Sequence, residues 1–254
     1  MADYLTFALV APIASFGAIA VGERRSGWDR PARSAVLGLI GACLGLERED
    51  DAAQAALATG YGLALLCHAP GRLLADYHTA QMPSAFRGRR FATRAEELAQ
   101  PGLNTVLSRR DYRSGAWHLG ALWPRDPAPR WSLPEIAEAM RCPGFVTYLG
   151  RKSCPLGLPL APELIAAADA PAALVQRHEA GPEAKLRGPG GWLRDLPAER
   201  LTAPVVTLDA SDADAIPADD NRRRWIELRR DQPRSRRRWQ FDLREELVLQ
   251  LAAP

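Results

Sequence analysis

The chain has 254 residues and a mass of 27.8 kDa, and 47% of its residues are hydrophobic and 25% charged, which excludes a disordered tail and allows a sizeable core. Its 33 basic and 30 acidic residues give a formal net charge of +3, which by itself argues against a strongly electrostatic partner. The four cysteines and four histidines lack the spacing of a disulfide framework or a zinc site, so we expect neither a structural metal nor a cofactor.

The basic residues are unevenly divided between the two types. Lysine occurs only at positions 152 and 185, and the other 31 basic residues are arginine. Guanidinium matches phosphate oxygens with two donors at once, so an arginine excess suits phosphate recognition. Coding bias explains the ratio more readily, so the placement of the arginines must decide between the two interpretations.

The first element is an uncharged run at residues 5–22, which is long enough to raise the question of a membrane segment. Pro12 and Gly17 interrupt the run, it is rich in alanine, and no basic residue precedes it. We therefore expect a buried strand at 4–10 in a cytoplasmic protein, with a membrane anchor as the alternative.

The remaining elements follow in chain order. Pro31 at a helix start, and Ser132 with Glu135 as a capping box, mark the two clearest helices. The full prediction is a helix at 31–45, a helix at 50–58, strands at 61–67 and 73–77, an aperiodic stretch at 78–107, a hairpin of 105–112 with 116–123, a helix at 132–140 and a strand at 204–208. This order predicts an α+β, ferredoxin-like (RRM-like) domain, a scaffold that RNA-binding modules use.

Charge separates sharply near the end of the chain. Residues 195–221 hold seven acids and one arginine, whereas residues 222–244 hold ten arginines and three acids. The basic block could contact target DNA, RNA or a neighbouring protein, or could be a solvated basic face, and the sequence does not choose among these.

Two basic segments could bind phosphate. Arg33 and Ser34 stand at the start of the first helix, where free backbone N–H groups and the helix dipole favour an anion, and Arg24 and Arg25 precede them. Further along, the basic residues of 79–108 alternate with two phenylalanines, a composition suited to single-stranded nucleic acid. An ordinary solvated loop is the alternative for both segments.

Glycines at 38, 41 and 45 recur on one face of the first helix. Since glycine weakens a helix by about 1 kcal/mol relative to alanine, something must pack close to this face, and the chain's own sheet is a simpler explanation than a ligand.

Candidates for catalysis are few. A metal-independent ribonuclease needs a base and an acid, which Tyr77 and His78 could supply, with His118 and Lys152 as further candidates. A lone histidine at a strand end is more often structural, so we expect no enzyme.

Five stretches, read together, resemble a known family. They are 5–17 (LTFALVAPIASFG), 33–50, 76–79 (DYHT), 110–112 (RDY) and 148–156 (YLGRKSCPL). In this order, and over about the first 155 residues, they resemble the type I-E branch of the Cas-five family of CRISPR-associated proteins. A weaker match continues near 230–233 and Trp239.

The resemblance implies a fold and a set of partners. It implies a RAMP-type ferredoxin-like domain at 1–155 with an inserted thumb at 79–108, and an irregular β-rich C-terminal part at 156–254. It also implies a non-catalytic subunit of the antiviral Cascade ribonucleoprotein, which holds the 5′ handle of the guide RNA and caps the complex backbone. The implied partners are guide RNA, the backbone subunit CasC, the large subunit CasA, other Cascade subunits and, through the complex, target DNA. Family members from another subtype cut precursor RNA, whereas in type I-E systems a separate endonuclease, CasE, does so. A metal-independent ribonuclease that processes precursor RNA is therefore the alternative function.

The expected RNA contacts combine the residues chosen on chemical grounds with those of the matched stretches. They are Arg24, Arg25, Arg33, Ser34, Tyr77, His78, Arg87, Arg89, Arg90, Arg109, Arg110, Tyr112, Arg151, Lys152 and Ser153.

Overall fold

A sheet dominated by antiparallel strands organises the chain. The computed structural model describes residues 1–18, 20, 22–84, 90–187, 204–216 and 222–251. Its strands are β1 (Ala2–Ala14), β2 (Arg24–Arg25), β3 (Tyr61–Ala69), β4 (Arg72–Pro83), β5 (Leu103–Pro124), β6 (Glu163–Ala167), β7 (Val205–Asp209), β8 (Arg224–Ser235) and β9 (Gln240–Gln250). Its helices are α1 (Arg33–Cys43), α2 (Asp51–Gly60), α3 (Arg94–Leu98), α4 (Leu133–Arg141), α5 (Ala170–Ala180) and α6 (Ala184–Arg187).

The strand order is β6-β1-β5-β3-β7-β9-β8, and each neighbouring pair is antiparallel. Strands β2 and β4 lie off this path and pair with the outer half of β5, β2 in parallel and β4 antiparallel. The chain is therefore a mixed α/β protein in which one sheet continues across residue 155. Strand β6, from the second predicted part, pairs with β1 of the first. The division of the chain into domains at 1–155 and 156–254 stays a prediction.

Strand β1 occupies an inner position of the sheet between β5 and β6, and most of its side chains are buried on the two faces of the sheet. The strand is longer than expected and continues through Pro12 to Ala14. In the described parts of the chain, no helix has both the length and the apolar character needed to cross a membrane.

Strand β5 differs most from the sequence-based expectation. The predicted turn at 113–115 is wrong, because the chain continues straight through it as one strand of 22 residues. The first half of β5 pairs with β4, and its second half pairs with β1 and β3. Gly115 has a φ of 72° and Gly71 a φ of 77°, and both lie where the β4–β5 hairpin leaves the main sheet. A Cβ on Gly71 would lie 2.8 Å from the Ser114 carbonyl oxygen, so only glycine fits this junction.

Both faces of the sheet carry a hydrophobic core. Helices α1, α2 and α4 cover one face around Phe7, Ile40 and Leu122, while α5 covers the other around Val10 and Leu174. The expected helix at 132–140 is confirmed as α4, and the Ser132 side chain and the Glu135 side chain form the predicted capping box.

Candidate nucleic-acid interface

The short strand β2 places two arginines beside two others. Its register on β5 aligns Arg24 with Arg109 and Arg25 with Arg110. All four side chains are exposed. Because residues directly paired across a sheet present their side chains on the same face, each row of the sheet carries two guanidinium groups.

Backbone contacts hold β2 in this position. The backbone N–H of Arg109 donates to the carbonyl of Glu23 at 3.0 Å, and Nη1 of Arg25 donates to the carbonyl of Gly22 at 2.5 Å. Gly22 has a φ of 60°, which supplies the tight turn before the strand. Downstream of β2, the N–H of Trp28 donates to the Phe16 carbonyl at 2.7 Å and ties the loop after β2 to the segment that follows β1.

Strand β4 adds aromatic and polar groups to the same rows. Tyr77 aligns with Arg109 on β5, and Asp76 aligns with Arg110. Tyr77 is 62% exposed, so its ring is available for stacking next to guanidinium groups. One row therefore runs Tyr77, Arg109, Arg24 across three strands.

Few acidic groups offset this charge. Nη2 of the exposed Arg24 lies 3.5 Å from Oδ2 of the buried Asp111, and Asp76 contacts Nε2 of His78. In the part of the chain that the structure describes, neither Arg109 nor Arg110 forms an ion pair. Adjacent like charges in a sheet destabilise it, and a phosphate backbone would remove that repulsion.

A loop at 148–155 extends the basic surface along β5. Tyr112 lies two residues beyond Arg110 on the same face of the strand. The Arg151 guanidinium carbon lies 4.5 Å from the centre of the Tyr112 ring, a cation–π distance. Lys152 and Ser153 follow it at an exposed turn.

The expected thumb at 79–108 contains more regular structure than the sequence suggested. Strand β4 and the start of β5 form a long two-stranded hairpin, and the short helix α3 lies within its connection. Arg90 is exposed, whereas Arg87 and Arg89 lie outside the described residues.

Arg33 and Ser34 do not join this surface. Both are buried at the start of α1, and Arg33 is only 3% exposed. Nη2 of Arg33 donates to the carbonyls of Ala58 at 2.7 Å and Tyr61 at 3.0 Å, which links α1 to the end of α2. The prediction of an open phosphate site at this helix start is therefore wrong for this structure. Burial, followed by the like charge of Arg125, lowers the pKa of Arg33 to about 10.

The chain's own carboxylates occupy the space beside the helix start. Oδ2 of Asp231 accepts from the backbone N–H of Arg33 at 2.8 Å. The same Asp231 binds Arg244 through both oxygens, at 2.8 and 3.0 Å, and Glu246 accepts from Arg30 at 2.6 Å. These five residues are all buried, and so is Arg229, whose Nη1 lies 3.4 Å from both carboxylate oxygens of Glu246. We call the group formed by Arg30, Arg229, Asp231, Arg244 and Glu246 the buried ion cluster.

The basic block at 222–244 therefore divides into two groups. Arg229 and Arg244 belong to the buried ion cluster, and a third buried arginine, Arg236, donates to the Ser34 carbonyl. The Arg236 guanidinium also packs against Gly38, where an added Cβ would lie 3.4 Å from its nitrogens. The exposed members of the block are Arg223, Arg224, Arg230, Arg234, Arg237 and Arg238.

The candidate catalytic pair does not converge. Tyr77 and His78 are successive residues of β4, so their side chains point to opposite faces of the strand. His118 is buried in the core, away from this pair. The side chain that contacts His78 is Asp76. Within the described ranges, no cluster of three or more His, Cys, Asp or Glu side chains could hold a metal ion.

Comparison with known proteins agrees with this architecture. A family model described as "CRISPR-associated protein (Cas_Cas5)" matches residues 4–245. The chain is 30% identical over 189 residues to the CRISPR system Cascade subunit CasD of Escherichia coli, covering 71% of this chain and 80% of that protein.

Two solved structures share the fold. A chain of a CRISPR RNA-guided surveillance complex matches with a TM-score of 0.62 at 20% identity, covering 98% of this chain and 90% of that one. A Cas protein crystal structure matches with a TM-score of 0.57 at 21% identity, covering 98% of this chain and 95% of that one. Since the family model spans nearly the whole chain, from β1 to β9, this protein belongs to the Cas5 family of CRISPR-associated proteins.

Proposed function

We propose that this chain is the guide-RNA-binding subunit of a type I-E Cascade complex and holds the 5′ handle of the RNA without cutting it. The relative in Escherichia coli is named as a Cascade subunit, and the family model matches from the first strand to the last. In such a complex the chain would act in the cytoplasm, cap the backbone formed by CasC and contact CasA.

The observation that carries this proposal is the row of Tyr77, Arg109 and Arg24 on one face of β4, β5 and β2, with Arg110 and Arg25 aligned on the opposite face. Two guanidinium groups paired across neighbouring strands suit phosphate oxygens, and the exposed ring of Tyr77 in the same row suits an unstacked base. The half-buried Tyr112–Arg151 pair, on the Arg110 side of β5, would extend the contact to the loop at 148–155.

The strand order supports the scaffold. In the row β6-β1-β5-β3, each strand is antiparallel to its neighbours. Along the chain these strands come in the order β1, β3, β5, β6, with helices after β1 and after β5. This order supports the split β-α-β pattern of a ferredoxin-like domain, and we propose that the β4–β5 hairpin is the thumb inserted into it.

The test measures the affinity of the purified chain for a labelled repeat-derived RNA that contains the handle. We expect the double variant Arg109→Ala/Arg110→Ala to bind about tenfold or more weakly, and the slope of log affinity against log salt to fall by about 1.4, since each lost phosphate contact removes about 0.7. Arg141→Ala is the matched control, because Arg141 is exposed on α4 and pairs with Glu138. Equal affinity and salt slope for the double variant and the control would contradict the proposal.

The alternative, a metal-independent ribonuclease, draws on the contact between His78 and Asp76. Opposite orientation of Tyr77 and His78 argues against a shared scissile phosphate. Incubation of the chain with repeat RNA in EDTA separates the two functions, and we expect intact RNA. Site-specific cleavage that His78→Ala abolishes would establish the ribonuclease instead.

A further inference from the structure

The turn between β8 and β9 displays a tryptophan to solvent. Trp239 is 61% exposed, and its backbone φ is 56°, in the left-handed region that favours glycine. A bulky residue in this conformation is uncommon and unfavourable, and such residues concentrate at functional sites. Burial of the ring does not account for a tryptophan here, because most of the ring is not buried.

The turn is fixed to the body of the protein. Arg236 points inward, donates to the Ser34 carbonyl and packs on Gly38 of α1. Phe241 meets the Trp239 ring edge-on, with ring centres 5.5 Å apart and an interplanar angle of 88°. A ring held in this way loses little conformational entropy on binding, which favours affinity.

One arginine contacts the ring, and two more precede it in the turn. The guanidinium carbon of Arg48, just beyond the end of α1, lies 5.0 Å from the centre of the Trp239 ring. Arg237 and Arg238 immediately precede the tryptophan, and all three arginines are exposed. Among the residues that the structure describes, no carboxylate forms an ion pair with any of these three.

The local charge also affects the anchoring arginine. Burial first, and then the like charge of Arg48, lowers the pKa of Arg236. The turn therefore presents an exposed ring with three exposed arginines beside it. That combination matches the arrangement by which proteins bind single strands, with a base stacked on the ring and phosphates paired with guanidinium groups.

We propose that Trp239, with Arg48, Arg237 and Arg238, forms a second binding site for single-stranded nucleic acid. We call these four residues the turn platform. The site is separate from the surface assigned to the handle, since it is built on the β8–β9 turn and the end of α1 rather than on β2, β4 and β5. It does not rest on the function proposed above.

The experiment uses the full chain carrying Arg109→Ala/Arg110→Ala, so that the handle surface is weakened, and labelled single strands of mixed sequence that lack a handle. One arm uses RNA and the other uses DNA of the same sequence. A difference in affinity between the two identifies which nucleic acid the turn platform binds. Trp239→Ala should weaken binding about tenfold, Trp239→Phe should restore part of the affinity because a ring remains, and Arg237→Ala/Arg238→Ala should lower the salt slope.

The matched control is Trp225→Ala, because Trp225 is 37% exposed on β8 but lies outside the turn platform. Trp239→Gly checks that any loss is not due to unfolding, since glycine suits the positive φ. Unchanged binding in Trp239→Ala, or an equal loss in Trp225→Ala, would overturn the proposal. Binding of poly-glutamate with the same dependence on Trp239 would also overturn it, in favour of an acidic protein partner. If only the Arg109→Ala/Arg110→Ala variant lost binding of the handle RNA, that result would bear on the handle surface and not on the turn platform.

Discussion

The carboxylate of Asp231 accepts a 2.8 Å hydrogen bond from the backbone N–H of Arg33, and so the C-terminal β8–β9 hairpin caps the first helix of the chain. Free N–H groups at a helix start attract an anion, and here the anion is supplied by a residue 198 positions further along. Burial opposes ionisation of Asp231, but hydrogen bonding and charge from Arg244 outweigh it and hold the pKa below its ordinary value.

Asp231→Ala should destabilise the protein by about 3–5 kcal/mol, because the substitution leaves the buried guanidinium of Arg244 without its two hydrogen bonds to Asp231. Urea unfolding measures the change. Asp242→Ala is the control, since Asp242 is exposed on β9 and should matter by less than about 0.5 kcal/mol. Because the folded pKa of Asp231 is depressed, its contribution is present above the unfolded pKa of about 3.9 and is lost as the pH falls through the lower folded pKa. Similar unfolding midpoints for both variants would mean that the buried ion cluster contributes little.

Arg33→Ala should lower stability without changing RNA binding by the folded protein. Its guanidinium bonds two carbonyls of the α2 end, and charge-assisted hydrogen bonds contribute about 1.5–3 kcal/mol each. The measurement pairs urea unfolding with handle-RNA affinity at a temperature where the variant is folded. A loss of affinity like that of the Arg109/Arg110 variant would show that Arg33 reaches RNA after all.

His118 should make stability depend on pH in the acidic range. Burial first, and then the charges of Arg30 and Arg113, lowers its pKa to about 3, whereas the unfolded value is 6.5. Between these values the unfolded chain binds a proton that the folded chain does not, so stability should fall by about 1.4 kcal/mol for each pH unit below 6.5.

Replacing this residue isolates its contribution. His118→Leu should remove that part of the slope between pH 6 and pH 4, as followed by unfolding at a series of pH values. His78→Gln, at an exposed histidine, should leave it in place. A slope that persists unchanged in His118→Leu would assign the acid sensitivity to other groups.

Gly120→Ala should destabilise the core by about 1–3 kcal/mol, because the new Cβ would lie 2.4 Å from an atom of the Phe7 ring. Phe7→Leu frees space, so the double variant should be less destabilised than the sum of the two single changes. Thermal unfolding of the unsubstituted protein, the two single variants and the double variant gives the interaction energy between positions 7 and 120. Gly60→Ala is the control, since no atom lies within 4 Å of a Cβ added there. Simple additivity would mean that the ring of Phe7 does not restrict position 120.

Local signals in the sequence were enough to predict several elements. The first strand, helices α1, α2 and α4, and the Ser132–Glu135 capping box are confirmed within a few residues of the expected limits. Each depends on neighbours a few positions away: an apolar run, a proline at a helix start, or a cap. Arg24 and Arg25 could be singled out by charge, but their alignment with Arg109 and Arg110 depends on a pairing across more than eighty residues.

Distant contacts explain the failures. The sequence Arg113-Ser114-Gly115 has turn composition, yet two partner strands, β1 and β4, hold it extended. Strand β6 and helix α5 were not predicted, because β6 has only five residues and gains its stability from the edge of β1. Arg33 was placed in solvent because nothing near it in sequence indicates that Asp231 would reach its backbone.

The strand order has a consequence for biosynthesis. The free edges of β1 and β3 are covered by β6 and β7, which are translated long after the strands that they complete. A nascent chain that has produced β5 therefore exposes two unpaired strand edges, which are templates for pairing with another chain. Folding that depends on such distant partners is slow, so the chain should need protection from aggregation until β9 has left the ribosome.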